Sequence, residues 1–318
     1  MTATRATPLR RHNSVRRTTT HDCIRPEGLS GPVTILARGR DLLTRADGAA
    51  KLLDTAGLDM RVHYASGTID RIAVDPRHPG LSELVGENAF HRFRAMVAEA
   101  MRGEQNSGSV RYQLLDDLPI ALMLSGRALR AAGLGLNIDP SKPLPVDICA
   151  GWVAGGTLVA GLTEKGPPLH LGPVATAVKR DDDVLAWHRF GPLPPNGTRR
   201  HRRLDIWEDS RAAHVECFFR DTFADADGVE TVVHEYTVQG TINPTTLQFL
   251  SCEADAGPLP YPECPSAVDS AQRLEGLTVG GLRRSVRGDF VGPSTCTHLN
   301  DTLRSLEDVG TLLRVLRP

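Results

Sequence analysis

The alternation of apolar and polar positions is clearest in the second half of the chain. "HVECFFRDTFA" (His214 to Ala224) and "TVVHEYTVQGTI" (Thr231 to Ile242) are rich in Val, Phe, Thr and Tyr, residues that suit a pleated, half-buried surface. Between them "ADADG" (Ala224 to Gly228) supplies the aspartates and glycine of a hairpin turn. "NPTTLQFLSCEA" (Asn243 to Ala254) follows an Asn-Pro turn as a further strand, so the unit reads as an antiparallel meander. The period then changes. "SAVDSAQRLEGL", "GGLRRSVRGDF" and "STCTHLNDTLRSLEDV" predict three short helices separated by Gly and Pro. The first half reads as strands near Pro32 to Leu42, Gly57 to Tyr64 and Gly67 to Val74, then a helix from about Leu84 to Met101.

The two halves echo each other. "RRTTTHD" (Arg16 to Asp22) is matched to "RRLDIWED" (Arg202 to Asp209), and "RDLLTRADG" (Arg40 to Gly48) to "RDTFADADG" (Arg220 to Gly228). "HYASGTID" (His63 to Asp70) meets "EYTVQGTIN" (Glu235 to Asn243), and "DICAGW" around Cys149 pairs weakly with "STCTHL" around Cys296. Four echoes in one order favour a duplication. Strands precede helices in both halves, which predicts an α+β fold, internally duplicated, with two antiparallel sheets built as meanders and each followed by short helices. The expected organisation is a disordered basic arm over 1–15, a diverged repeat over 16–165, a proline-rich linker over 166–200 and a C-terminal repeat over 201–318.

Composition narrows the function classes. A formal net charge of -1 gives no long-range field for a polyanion, so no nucleic-acid partner is expected. The basic N-terminus is not followed by the apolar core of a secretory signal, and the most apolar stretch, "DICAGWVAGGTLVAGL", is too short and glycine-rich to span a bilayer. A cytoplasmic protein without a membrane partner is expected, acting on a small-molecule ligand, with a homodimer as a candidate assembly. Six cysteines without a Cys-x-x-Cys pair argue against disulfides and a zinc ribbon.

The sharpest chemistry lies in "VGPSTCTHLNDTL". A cap by Ser294 or Thr295 would put Cys296 in the first helical turn, where free N–H groups favour a thiolate. Asp301, three residues after His298, would share its helical face and hold one ring nitrogen. Against this, Cys296, Leu299, Leu303 and Leu306 form an apolar stripe that would make Cys296 a core residue. Cys296, His298 and Asp301 are thus the catalytic candidates. A metal could gather Cys264, Cys296 and His298 with Asp221 or His234 as a fourth donor, but the spacing supports no assigned metal site. On a strand, His234 and Glu235 would point to opposite faces.

"TRRHRR" (Thr198 to Arg203) could grip a phosphate or coenzyme A, or start a solvated strand. "KRDDDV" and "LLDDL" each place acids side by side, without the third carboxylate of a magnesium site, and read as turns or caps. No nucleotide-binding glycine motif occurs, and no cofactor is indicated.

"RDTFADADGVETVVHEYTVQGTINPTT", "PYPECP" and "VGPSTCTHLNDTL", in that order and spacing, resemble the bacterial domain-of-unknown-function family 2889, across about Arg202 to Leu306. The resemblance implies a strand meander followed by a Pro-Tyr-Pro-x-Cys-Pro loop and a Cys-Thr-His-Leu helix, and implies no activity or cofactor. The first half carries Cys149-Ala150-Gly151-Trp152 where the second has Cys296-Thr297-His298-Leu299, without the histidine. The expected function is a small-molecule enzyme using general acid/base or thiol chemistry on an organic acid or thioester. Cys264, Tyr261, Arg202 and Arg203 would contact substrate. A non-catalytic ligand-binding or assembly protein is the alternative, and a metal-binding protein the third reading.

Overall fold

The computed structural model describes residues 4–134, 144–164 and 169–317, so residues 1–3 of the expected arm and 166–168 of the expected linker lie outside the described residues. In chain order the strands are β1 (Ser14–Ile24), β2 (Val33–Thr44), β3 (Ala50–His63), β4 (Thr68–Asp75), β5 (Thr198–Glu208), β6 (Ala213–Ala224), β7 (Glu230–Ile242) and β8 (Phe249–Ala256). The helices are α1 (Phe93–Ala100), α2 (Arg102–Ser107), α3 (Val110–Leu124), α4 (Gly126–Ala131), α5 (Thr157–Glu164), α6 (Leu282–Asp289), α7 (Thr297–Ser305) and α8 (Val309–Leu316). "SAVDSAQRLEGL" (Ser266 to Leu277), predicted as a helix, falls largely in a 3₁₀ stretch over Cys264–Leu274.

An α+β fold is observed, but with one sheet in place of the two expected. Its order is β4-β3-β2-β1-β5-β6-β7-β8, and every neighbouring pair is antiparallel. The two meanders fuse because the edges of β1 and β5 complement each other. Their register sets Arg16 opposite Asp205 and Asp22 opposite Arg199. Both pairs close as ion pairs, each with an Nε–Oδ1 distance of 2.5 Å. Opposite charges directly across a ladder stabilise the pairing and fix its register. The hairpin turns after β2 and β6 place Gly48 and Gly228 at φ 84° and 82°, which glycine adopts without a Cβ penalty.

The helix-bearing face of the sheet holds two apolar cores. Ile35, Leu58, Met60, Val97, Leu114 and Leu118 fill one, under α1 and α3. Val215, Phe219, Tyr236, Val238, Leu299 and Leu303 fill the other, under α6, α7 and α8. Between them β1 and β5 present arginines, and these are fully buried. Arg17 pairs with Asp41 and Asp308, Arg200 with Asp221 and Asp301, and Arg202 with Asp117 and the Thr302 hydroxyl. Arg94, Arg283 and Arg304 complete the set through Asp116, Asp301 and Asp308. Six arginines thus face six aspartates, with Glu307 also on Arg283, so the buried positive charge is compensated.

Two readings of the polar runs are corrected by these ion pairs, and the expected disorder of the basic arm by contacts on the opposite face. "TRRHRR" is neither a solvated strand start nor a free phosphate grip, because Arg199, Arg200, Arg202 and Arg203 are all at or below 3% exposure and already engaged. "LLDDL" is not a turn: Asp116 and Asp117 sit inside α3, where arginines from other elements neutralise them. Residues 4–13, expected to be disordered, lie along the opposite face, with Arg10 paired to Asp183 and the Trp187 indole donating to the Thr7 hydroxyl.

Removing one partner of a buried pair strands the other charge, which costs about 3–5 kcal/mol. Arg200→Met should therefore lower unfolding free energy by about that amount in urea titration. Arg71→Ala, which breaks the exposed Arg71–Asp59 pair, should cost under about 1 kcal/mol. Equal losses for the two variants would contradict this account.

Candidate functional site

The best-formed cluster of donor groups lies where β6, β7 and α7 meet. Asp221 on β6 stands directly opposite His234 on β7, one residue before a register shift at Asp221/Thr222. Such an irregularity re-aims side chains on a ladder. His234 projects to the helix side, and Glu235 projects away to pair with Arg220 on the other face, as strand alternation requires. The first turn of α7 brings His298 over this pair.

His234 Nδ1 lies 3.3 Å, and His298 Nε2 3.9 Å, from Asp221 Oδ2. The two imidazole rings stack with centroids 3.8 Å apart. One donor atom from each of Asp221, His234 and His298 lies within 4.8 Å of the other two, close enough to converge on one metal ion. The second nitrogen of His298, Nδ1, lies 3.9 Å from Cys296 Sγ and 3.4 Å from the Thr297 hydroxyl. The sulfur thus meets Nδ1 and leaves Nε2 as the nitrogen that faces Asp221.

Electrostatics set the protonation states. Burial would raise Asp221, but Arg200 and His234 outweigh it and hold the carboxyl far below its ordinary value. Arg200 donates Nε to Oδ1 at 2.9 Å and Nη2 to Oδ2 at 3.0 Å. Burial lowers His234, against the pull of Asp221. His298 is lowered by burial and by His234 beside it. Burial also opposes ionisation of Cys296, yet the His298 ring brings its thiol below the ordinary value. Each member of the cluster is thereby biased toward the deprotonated form that binds metal.

Residues 198–311 match the family described as "Protein of unknown function (DUF2889)". The matched segment of this DUF2889 family contains every residue of the cluster, from Asp221 to His298. No curated protein and no solved structure matches the chain.

The candidates read from the sequence divide into three groups. His298, Cys296 and Cys264 lie in one region: Cys296, Cys264 and Cys149 all act electrostatically on the buried Tyr236 hydroxyl, whose pKa burial raises first. Cys264 packs near Gly151, and the Tyr261 hydroxyl accepts from Arg130. Burial pushes the Cys264 thiol up to about 12, so it is the inert member of the group. Cys296 is itself the cap residue of α7, in extended conformation, and also joins the core with Leu299, Leu303 and Leu306. Thr295 does not cap the helix; its hydroxyl donates to Gly292 O.

Asp301 does not hold His298. Its carboxylate is engaged by Arg94, Arg200 and Arg304, and the carboxylate facing the ring belongs to Asp221. Arg202 is locked to Asp117, while Arg203 points to the opposite face and pairs with Asp205 and Glu216. Neither guanidinium is open to substrate. Asp221 and His234 entered the sequence reading only as alternatives for a fourth donor. Counting outward from the "ADADG" turn sets Asp221 opposite Val233, and only the register shift at Asp221/Thr222 brings it opposite His234.

The histidines make stability pH-dependent. His21, His188, His201, His234 and His298 all have folded pKa values below the unfolded value of about 6.5, with burial the largest cause in each. The unfolded chain then binds more protons below that pH. This stabilisation is complete above about pH 6.5 and lost as pH falls toward the folded pKa values, each unit being worth about 1.4 kcal/mol. Depressed carboxylates such as Asp116, Asp117 and Asp221 add a further loss only below about pH 4, partly offset by Asp41, whose pKa burial raises. The urea midpoint should fall between pH 7 and 5; a flat profile there would contradict the neutral-histidine assignment.

Proposed function

We propose that the chain is a metal-dependent protein whose centre is formed by Asp221, His234 and His298, with Cys296 positioning His298. The observation that carries this reading is the convergence of one carboxylate oxygen and two imidazole nitrogens within 4.8 Å, in a buried place where all three are biased to the deprotonated state. Two imidazoles and a carboxylate form a borderline donor set, suited to Zn(II), Fe(II) or a related divalent ion. Three protein ligands leave coordination positions for water or for an oxygen of a small organic substrate, which the ion would polarise. The chemistry would be metal-assisted rather than dependent on a free thiol.

Under this reading the centre occurs once. Strand register equates Asp221 and His234 with Asp41 and Asp54, since each pair faces across its hairpin beside a register shift. "QLLDDL" (Gln113 to Leu118) aligns with "HLNDTL" (His298 to Leu303), which sets Gln113 in the place of His298. The N-terminal half would be a diverged copy that supplies scaffold and no imidazole.

One feature favours a thiol enzyme instead. Cys296 Sγ, His298 and Asp221 stand in file, with His298 Nδ1 3.9 Å from the sulfur and Nε2 3.9 Å from the carboxylate. A thiolate–imidazolium pair needs the ring protonated, however, and here burial and His234 lower its pKa. The lowered Cys296 thiol suits the thiol reading and the lowered His298 suits the metal reading, so what favours the metal reading is the convergence of three donor atoms.

Protein purified without chelator and equilibrated with Zn(II), Fe(II) or Mn(II) should bind one ion per chain by elemental analysis. Asp221→Asn, His234→Ala and His298→Ala should each abolish stoichiometric binding. Cys296→Ala should retain one ion with affinity about 10- to 100-fold weaker, as for loss of an outer partner. If the wild type stays substoichiometric for all three ions, and Cys296 in the native state is alkylated fastest near neutral pH, the thiol reading replaces this one.

A further inference from the structure

The face of the sheet turned away from the helices differs between the two halves. In the C-terminal half, Arg220 on β6 stands opposite Glu235 on β7, and the pair closes at 2.6 Å. Chain segments lie over it, with Arg220 donating to Thr176 O and Arg5 O. The corresponding ladder position in the N-terminal half sets Arg40 on β2 opposite Thr55 on β3. The registers make the two positions equivalent, since the pairing shifts one residue later in both hairpins, at Asp41/Leu42 and at Asp221/Thr222. The N-terminal half therefore keeps the guanidinium and lacks its carboxylate.

That place is an open groove of about 530 Å³, lined by residues that include Arg38, Arg40, Thr55, Gly57 and Arg189. Among the described residues, Arg38, Arg40 and Arg189 form no ion pair. Arg38 donates to Ala37 O and Leu58 O, and Arg40 to Leu185 O. Gly57 leaves the space in which Arg38 lies against the sheet, since a Cβ there would meet its Nη1 at 3.3 Å. Two carboxylates also line the groove: Asp59, which Arg71 engages, and Asp75. Asp183, the acid that acts on Arg40, is bound to Arg10. Burial and the nearby Arg10 and Arg16 push Arg40 down to about 10, while burial, Arg40 and Arg199 push His188 at the groove edge down to about 3. The groove thus sets three guanidiniums against two carboxylates, one of them already engaged by Arg71, beside a floor of small residues.

We propose that this groove is a binding site for a small organic dicarboxylate, one carboxylate of which takes on Arg40 the place that Glu235 takes on Arg220, with Arg38 and Arg189 receiving the other. Arginine is suited to this because its planar fork meets a carboxylate through two parallel N–H donors. The site is separate from the Asp221–His234–His298 cluster, on the other face of the sheet and in the other half.

The test is isothermal titration of the full chain with succinate, with inorganic phosphate as the competing anion. Succinate should bind saturably at one site, with the same Kd after chelator treatment. Arg189→Gln, at an exposed side chain, should weaken it at least tenfold. Thr55→Glu should restore the missing carboxylate within the chain, abolish succinate binding and raise the melting temperature of the free protein. Absence of saturable succinate binding, tighter binding of phosphate than of succinate, or an unchanged Kd in Thr55→Glu or Arg189→Gln would each overturn the proposal.

Discussion

The fold depends on a charge-compensated network of buried arginines and acids at the seam between β1 and β5. Burying one such charge alone would cost several kcal/mol, so the arginines of β1 and β5 are tolerable only because carboxylates arrive from β2, β6, α3, α7 and the end of the chain. The geometry of those arrivals is demanding. Arg202 on β5 needs Asp117 from α3, and Arg94 from α1 needs Asp301 from α7. The two apolar cores are therefore tied through polar contacts that cross between the halves, and neither half satisfies its own charges.

This explains which features were legible in the sequence. Strands β6, β7 and β8 follow from β-rich alternation and turn chemistry, and both rest on local residue types. The fate of "TRRHRR" and "LLDDL" was not legible, because charged residues are almost never fully buried unless paired, and the pairing partners lie up to 188 residues away in sequence. The registers equate Arg16, Arg17 and Asp22 with Arg199, Arg200 and Asp205, three residues before the match made on sequence, because they fix which arginine faces Asp41 and which faces Asp221. The Gly-Thr-Ile echo joins unlike positions: Gly67–Ile69 turn into β4, while Gly240–Ile242 end β7.

The candidate site shows the same division. His298 and Cys296 stood out because two chemically active residues two apart at a helix start are visible in a linear string. Asp221 and His234 are thirteen positions apart on separate strands, and only the hairpin register unites them. Asp301 was the natural partner for His298 by helical spacing, yet the network claims it. Three arginines surround its carboxylate and hold it toward the seam, while the carboxylate beside the imidazole is that of Asp221.

The network and the cluster meet at a single residue. Asp221 is the terminus of the chain of ion pairs that runs from Asp41 through Arg17, Asp308, Arg283, Asp116, Arg304, Asp301 and Arg200. Arg200 takes one donor to each carboxylate oxygen, which fixes the plane of Asp221 and keeps it ionised, while Oδ2 still faces both histidines. The contact that stabilises the buried carboxylate is thus the contact that, under the proposed metal reading, would prepare it as a ligand. Arg200 also reaches Asp301 on α7, the helix that carries His298, so one guanidinium sets the distance between the strand-borne and helix-borne donors. Positioning by a rigid outer partner is how metal sites gain their geometry. Here that partner belongs to the folding core, and the cluster cannot lose Arg200 without losing part of the fold.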